Sequence, residues 1–152
     1  MAEVLFYHLE RAPLERVLPG LIEKTLQRGW RAVIQASSPE RVEALDTLLW
    51  TYREDSFLPH GTAAEDNAAL QPVLLTTDDA NPNDAAVRFL VDGATIEDTA
   101  GMAAYERVVF MFDGHDETAT AHARDRWKAA RSAGHTVTYW QQDEHGKWHQ
   151  RA

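Results

Sequence analysis

The chain has 152 residues, of which 44% are hydrophobic and 26% are charged, which is the composition of a globular domain and not of a disordered chain. Its formal net charge of -9 opposes direct binding to the phosphates of nucleic acids, so any role near DNA is expected to run through a protein partner or through a local basic patch. It has no cysteine, which excludes disulfides and thiolate chemistry, and no apolar run of the roughly 20 residues that a membrane-spanning helix needs.

Strand and helix patterns alternate from the start of the chain. Residues 4–9, VLFYHL, are short, apolar and aromatic, as in a strand. A helix follows whose apolar residues recur with helical spacing; they are Leu14, Val17, Leu18, Leu21, Ile22 and Leu26. Pro19 predicts a kink or a fresh start within this helix. Residues 32–34 predict a second buried strand, and the sequence SPE from residue 38 begins a second helix with serine as its N-cap.

The alternation continues after a polar loop at residues 53–70. Apolar stretches predict further strands at residues 72–76, 87–92, 107–112 and 136–141. A helix is predicted at residues 117–133, where Gly134 ends it. Together these patterns predict a three-layer α/β/α domain with a mainly parallel sheet of about five strands. The domain is expected to span residues 1–142, and a polar C-terminal tail is expected at residues 143–152.

Domains of this class often bind nucleotides, but neither GxxxxGK[ST] nor GxGxxG occurs in the chain, so we expect no cofactor. The best candidate for chemistry is FDGHDE, residues 112–117, which follows a predicted strand. Its residues Asp113, His115 and Asp116 could bind a divalent metal in a phosphohydrolase, or serve a nucleotide-binding protein. The alternative, which we prefer, is a polar loop in which Asp116 or Glu117 stabilises the start of the next helix.

Two segments resemble the family of DNA polymerase III chi subunits. Residues 45–61, LDTLLWTYREDSFLPHG, are similar to the family pattern LDxxLWxxxxxSFxPH. The matching positions are Leu45, Asp46, Leu49, Trp50, Ser56, Phe57, Pro59 and His60. Residues 123–135, ARDRWKAARSAGH, resemble the family's late helix. The positions in common there are Arg124, Trp127, Lys128, Arg131 and Gly134. The opening FYHL, residues 6–9, is similar to the family's first strand.

This resemblance implies a Rossmann-like subunit without a nucleotide-binding loop or catalytic activity. It implies a cytoplasmic accessory subunit of the bacterial replicative DNA polymerase III holoenzyme, associated with the clamp loader and with DNA repair. Members of the family bridge two partners. One site binds the acidic C-terminal tail of single-stranded DNA-binding protein, and the other binds the psi subunit or, in some members, a helicase of the XPD type. The chain would then be a monomer within a hetero-complex and would reach DNA only indirectly.

The late helix is the candidate site for the acidic tail. In a helical projection, a basic stripe runs beside an apolar stripe. The basic stripe consists of Arg124, Lys128 and Arg131, and the apolar stripe consists of Ala123, Trp127 and Ala130. A terminal aromatic ring would enter an apolar pocket lined by Phe112 or Met111, while Arg124 or Lys128 binds the free carboxylate. From the residues alone, the simpler interpretation is that these basic side chains offset the helix dipole. The family resemblance favours the binding site for the acidic tail instead.

The first matched segment is the candidate site for psi or the helicase. Trp50 lies about a quarter turn from the apolar stripe of its helix, which puts it at the edge of the core. Phe57 and Pro59 follow in a polar loop, where a large aromatic ring has less reason to be buried. The alternative is that both aromatic side chains fold back into the core.

Overall fold

The computed structural model describes residues 2–51, 59–63, 67–96 and 99–152. Within these ranges it contains eight strands and three α-helices. They are β1 (Glu3–Leu9), α1 (Leu14–Gln27), β2 (Ala32–Gln35), α2 (Pro39–Thr51), β3 (Gly61–Thr62), β4 (Val73–Thr76), β5 (Val87–Leu90), β6 (Arg107–Asp113), α3 (Glu117–Ser132), β7 (Thr136–Gln142) and β8 (Trp148–Gln150). Two short 3-10 helices lie at Ala68–Leu70 and Thr99–Ala104. No helix in the described ranges is both long enough and apolar enough to cross a membrane.

One sheet joins all eight strands in the order β3-β4-β2-β5-β6-β1-β7-β8. The β7–β8 pair is antiparallel and the other pairs are parallel. Apolar residues of α1 and α2 pack on one face, and the buried alanines of α3 pack on the other. The predicted α/β fold with a mainly parallel sheet and helices on both faces is therefore confirmed.

The sheet is wider than the expected five or so strands. The additional strands include β3 and β8, which have only two and three residues and are too short to show a periodic pattern. β8 lies within residues 143–152, the segment predicted as a polar tail, and pairs with β7 through a hairpin. The division of the chain at residue 142 stays a prediction.

The local signals for helix ends are confirmed. The Oγ of Ser38 accepts the backbone N–H of Arg41 at the start of α2. Gly134 has a φ of 88° directly beyond α3, in the left-handed region that glycine adopts without steric cost. Pro19 lies inside α1, which runs as one helix through it, so the helix does not start afresh there.

The face that carries α3 is only partly covered by helix. α3 packs on β6, β1 and β7, and residues from irregular segments join the core beside it: Ala85, Ile96, Met102 and Tyr105.

Arg88 of β5 lies fully buried beneath these segments. Its Nε and Nη2 donate to Oε1 of Gln35, at 3.0 and 2.7 Å. Its Nη1 donates to the carbonyl of Ala80 and to the hydroxyl of Tyr105, both at 3.0 Å.

Nη2 of Arg88 also donates to the carbonyl oxygen of Asp78. All five N–H groups of the guanidinium therefore have acceptors, which is the condition for burying this side chain at tolerable cost. The acceptors belong to β2, to the turn after β4 and to the segment before β6. Arg88 thus ties the irregular cover of this face to the sheet.

We predict that Arg88→Met lowers the free energy of unfolding by at least about 3 kcal/mol, because several buried acceptors lose their donor at roughly 1 kcal/mol or more each. Arg88→Lys should recover only part of this loss, since an ammonium cannot reproduce the planar fork. Urea unfolding followed by circular dichroism measures both. Arg16→Met, at an exposed position of α1, is the matched control. An Arg88→Met protein as stable as this control would show that the hydrogen bonds around Arg88 contribute nothing net.

Candidate protein-binding sites

α3 carries the basic stripe on its open side. Arg124, Lys128 and Arg131 are exposed, whereas Ala123 and Ala130 are buried against the sheet. Trp127, the third member of the apolar stripe, is half-buried. The helix thus presents three cations beside the apolar face through which it packs on the sheet.

Trp127 is held from two sides. Its ring packs against the core cluster beneath α3. On the outer side, Cζ of Arg131 lies 4.7 Å from the centroid of the ring, in cation–π contact. Arg131 therefore supports the indole ring, while Arg124 and Lys128 extend from the same side of the helix.

Phe112, at the end of β6, forms part of the same apolar region. Its ring centroid lies 5.1 Å from that of His8 and 6.1 Å from that of Tyr139. Met111 belongs instead to the cluster under α1 and α2, because successive residues of a strand point to opposite faces. Of the two pocket residues expected from the sequence, Phe112 faces α3 and Met111 does not.

Tyr139 of β7 is a neighbour of this region that sequence reasoning missed. Its hydroxyl is hydrogen-bonded to Nδ1 of His8, and Nε2 of His8 lies 2.8 Å from Oε1 of Glu10. Burial raises the pKa of Tyr139, and the positive charge of Arg124 opposes that rise. Arg124 therefore lies close enough to Tyr139 to act on it electrostatically. Val137 and Tyr139 alternate as a strand requires, but only the pairing of β7 with β1 brings them under α3.

The candidate catalytic residues have structural partners. The Oδ1 of Asp116 accepts the backbone N–H groups of Thr118 and Ala119 at 2.9 and 3.1 Å, which makes it the N-cap of α3. The Oδ1 of Asp113 accepts the backbone N–H of His115 at 2.9 Å. Nε2 of His115 donates to the carbonyl of Glu10 at 2.7 Å. The capping interpretation of this loop is confirmed.

The same loop borders a cleft of about 780 Å³. β1 and β6 are neighbours in the sheet, but the helices that follow them lie on opposite faces, and crevices form at such switch points. Among the described residues, no group of three histidine, cysteine or acidic side chains could hold a metal ion.

At the second candidate site, Trp50 is 52% exposed near the end of α2. The alternative that it folds back into the core is therefore wrong. Pro59 is half-buried. The ring of Trp50 contacts the ring of His60, with centroids 4.7 Å apart. Phe57 lies outside the described residues.

Sequence comparison identifies the family to which the chain belongs. The family described as DNA polymerase III chi subunit, HolC, matches residues 1–138. The chain belongs to this family. It is also 29% identical over 108 residues to a protein of Rickettsia prowazekii (strain Madrid E) named probable DNA polymerase III subunit chi. The matched region is 71% of this chain and 66% of that relative, so it spans slightly less than two thirds of the relative's length.

Membership of the chi family confirms the resemblance drawn from the two motifs, and both motifs lie within the matched residues. It makes the chain a member of a family of accessory subunits of DNA polymerase III, which acts in DNA replication.

We predict that Asp116→Ala lowers the free energy of unfolding by about 1 kcal/mol, the usual cost of losing an N-cap, and that Asp116→Asn keeps most of the stability. Thermal unfolding of all three proteins measures this.

The same melts are repeated with magnesium, with manganese and with nucleotides, and we expect no shift in the midpoint. A rise in the wild type that Asp116→Ala abolishes would favour the enzyme alternative instead.

Proposed function

We propose that this chi-family chain is a non-catalytic adaptor of the DNA polymerase III holoenzyme, associated with the clamp loader. One surface binds the acidic C-terminal tail of single-stranded DNA-binding protein. A second surface binds the psi subunit or a helicase of the XPD type. The observation that carries the proposal is the exposed basic stripe of α3 beside the aromatic region of Trp127, Phe112 and Tyr139.

The charge distribution favours an acidic peptide over a nucleic acid. The formal net charge of -9 repels DNA, while Arg124 and Lys128 concentrate positive charge on one helix. A short peptide with a terminal carboxylate can meet this local stripe without facing the rest of the acidic surface. Access to DNA is then indirect, through the protein that coats the single strand.

The energetics suit a reversible contact. Burying one aromatic ring contributes a few kcal/mol at most, by ordinary apolar transfer. A charge-assisted hydrogen bond from Arg124 or Lys128 adds roughly 1.5–3 kcal/mol. Ordering of the peptide offsets much of this gain. We therefore expect micromolar affinity that weakens as salt is added.

The two surfaces lie far apart on the sheet. The proposed tail surface is carried by α3, which packs over β6, β1 and β7, whereas Trp50 contacts His60, the residue directly before the edge strand β3. Between four and six strand spacings separate β3 from β6 and β7 in the sheet order, which is a span of about 19 to 29 Å at ~4.8 Å per spacing. Two protein partners can therefore bind at once, as an adaptor requires.

For the tail surface, we predict that Arg124→Glu and Lys128→Glu each weaken binding of a peptide that copies the acidic tip by tenfold or more, since about 1.4 kcal/mol corresponds to one decade. Amidation of the peptide's C-terminus should cause a similar loss, because it removes the charge from the other partner. Isothermal titration calorimetry measures all of these affinities.

Arg16→Glu is the matched control, because it changes the net charge equally at an exposed position of α1 on the opposite face. It should bind the peptide almost as well as the wild type. If Arg124→Glu and Lys128→Glu remain folded and bind as tightly as Arg16→Glu, the basic stripe is only solvated surface.

For the second surface, we predict that Trp50→Ala abolishes binding to psi or to the helicase and leaves the affinity for the tail peptide unchanged. Distant sites that share no contacts usually behave independently. Phe57→Ala is expected to act in the same way. Binding is measured by biolayer interferometry with each purified partner, and Arg124→Glu serves as the reciprocal variant. Loss of both activities together in Trp50→Ala would point to unfolding and would refute a separate second surface.

A further inference from the structure

His8 of β1 has two polar contacts at the aromatic region beside α3. Its side chain is 11% exposed, its Nδ1 is hydrogen-bonded to the hydroxyl of Tyr139, and its Nε2 lies 2.8 Å from Oε1 of Glu10. The parallel pairing of β1 with β7 makes His8 and Tyr139 diagonal neighbours on one face of the sheet. A titratable ring therefore lies between a phenol and a carboxylate, next to a surface proposed to bind an anion.

The loop after β6 holds the ring of His8 in place. A Cβ on Gly114 would lie 2.0 Å from Nε2 of His8, so any larger residue there would displace the ring. The backbone N–H of Gly114 donates to the carbonyl of Leu9 at 2.8 Å, and Nε2 of His115 donates to the carbonyl of Glu10 at 2.7 Å. These bonds tie the loop to the end of β1, so His8 and Glu10 keep their relative positions.

The two contacts of His8 determine where its protons lie. Two lone pairs would repel at 2.8 Å, so Nε2 carries a proton and donates it to Glu10. In the neutral ring Nδ1 is then an acceptor, and the hydroxyl of Tyr139 donates its proton to Nδ1. In the protonated ring both nitrogens are donors. Nδ1 then donates to the oxygen of Tyr139, and the hydroxyl proton is free to bind another acceptor.

The surroundings of His8 suit such a change. Burial raises the pKa of Tyr139, so the phenol keeps its proton in both states of the histidine. The titratable and charged groups that the described structure places around the pair are Tyr139 of β7, Arg124 of α3, Glu10 after β1 and His115 of the loop after β6. Glu10 favours a positive charge on His8, and a carboxylate bound at Arg124 would favour it further.

We propose that His8 and Tyr139 form a proton-controlled carboxylate site at the tail surface. His8 takes up a proton from solvent at Nδ1, and the hydroxyl of Tyr139 then donates to the terminal carboxylate that Arg124 binds. His8 is a positioning residue, because it acts on the carboxylate through Tyr139, and Glu10 is its counter-ion. The inference rests on the proposed function for the presence of the tail, and it adds a hydrogen-bond donor and a dependence on pH.

Binding of the tail should take up protons, because the bound carboxylate favours the protonated ring. The affinity therefore rises as the pH falls through the range in which histidine titrates, while the carboxylate itself stays ionised at about pH 6. We expect the peptide that copies the acidic tip to bind about fivefold more tightly at about pH 6 than at about pH 8, the factor that one net hydrogen bond contributes. Calorimetry in two buffers of different ionisation enthalpy measures both the affinity and the proton uptake.

Two variants remove the change at different atoms. Tyr139→Phe keeps the ring and removes the donor, whereas His8→Gln removes the group that titrates. In both, the affinity and the proton uptake should lose most of their dependence on pH, and circular dichroism verifies that each protein is folded. His145→Gln is the matched control, since the side chain of His145 is 82% exposed in the turn between β7 and β8. It should keep the pH dependence of the wild type.

The proton positions can be measured without any peptide. Long-range proton–nitrogen correlation spectra of the imidazoles, assigned with His8→Gln, should show His8 with its proton on Nε2 at about pH 8. A proton on Nδ1 at this pH would mean that the hydroxyl of Tyr139 never donates to His8. That result would overturn the inference.

The binding outcomes separate the inference from the proposed function. A wild type that does not bind the peptide at either pH refutes the proposed tail surface, and the inference falls with it. If the wild type binds and Arg124→Glu weakens binding, but the affinity is the same at both pH values, the tail surface stands and the inference is wrong. A pH dependence that persists undiminished in Tyr139→Phe would reflect charge alone and would also overturn it.

Discussion

A parallel sheet must be covered on both faces, and the described part of this chain has a single α-helix for one of them. α3 covers β6, β1 and β7, and irregular segments cover much of the remainder. Irregular backbone over a core carries polar groups that need partners. The buried guanidinium of Arg88 supplies them by donating to two carbonyls and a hydroxyl of these segments and to Gln35 of the sheet. This one buried cation thus ties the segments that cover the face beside α3 to the sheet.

The partial cover also leaves the margin of α3 accessible to solvent. β7 lies near the edge of the sheet, and its residues from Val137 to Gln142 are half-buried and not enclosed. Trp127 and Tyr139 are therefore only half-buried beside the basic stripe. A fully enclosed aromatic cluster would be core, and a fully exposed one would be a liability for aggregation. The intermediate burial leaves part of each ring accessible from solvent.

Several features were predictable from the sequence because their causes are local. Caps such as Ser38 and Asp116 act on backbone groups within a few residues of themselves. The helical period separates the basic from the apolar stripe of α3, and the spacing of the first motif was sufficient to identify the family. The α/β class follows equally from the alternation of patterns along the chain.

Other features were decided only by the tertiary structure, because strand order and long-range contacts leave no periodic pattern. β1 lies between β6 and β7, and this order alone brings His8, Phe112 and Tyr139 together. An arginine within a strand pattern is typical of a solvent-facing position, yet Arg88 is buried because distant acceptors converge on it. The sequence by itself thus determined the elements, their caps and the family, while pairing between distant segments decided which side chains share a surface.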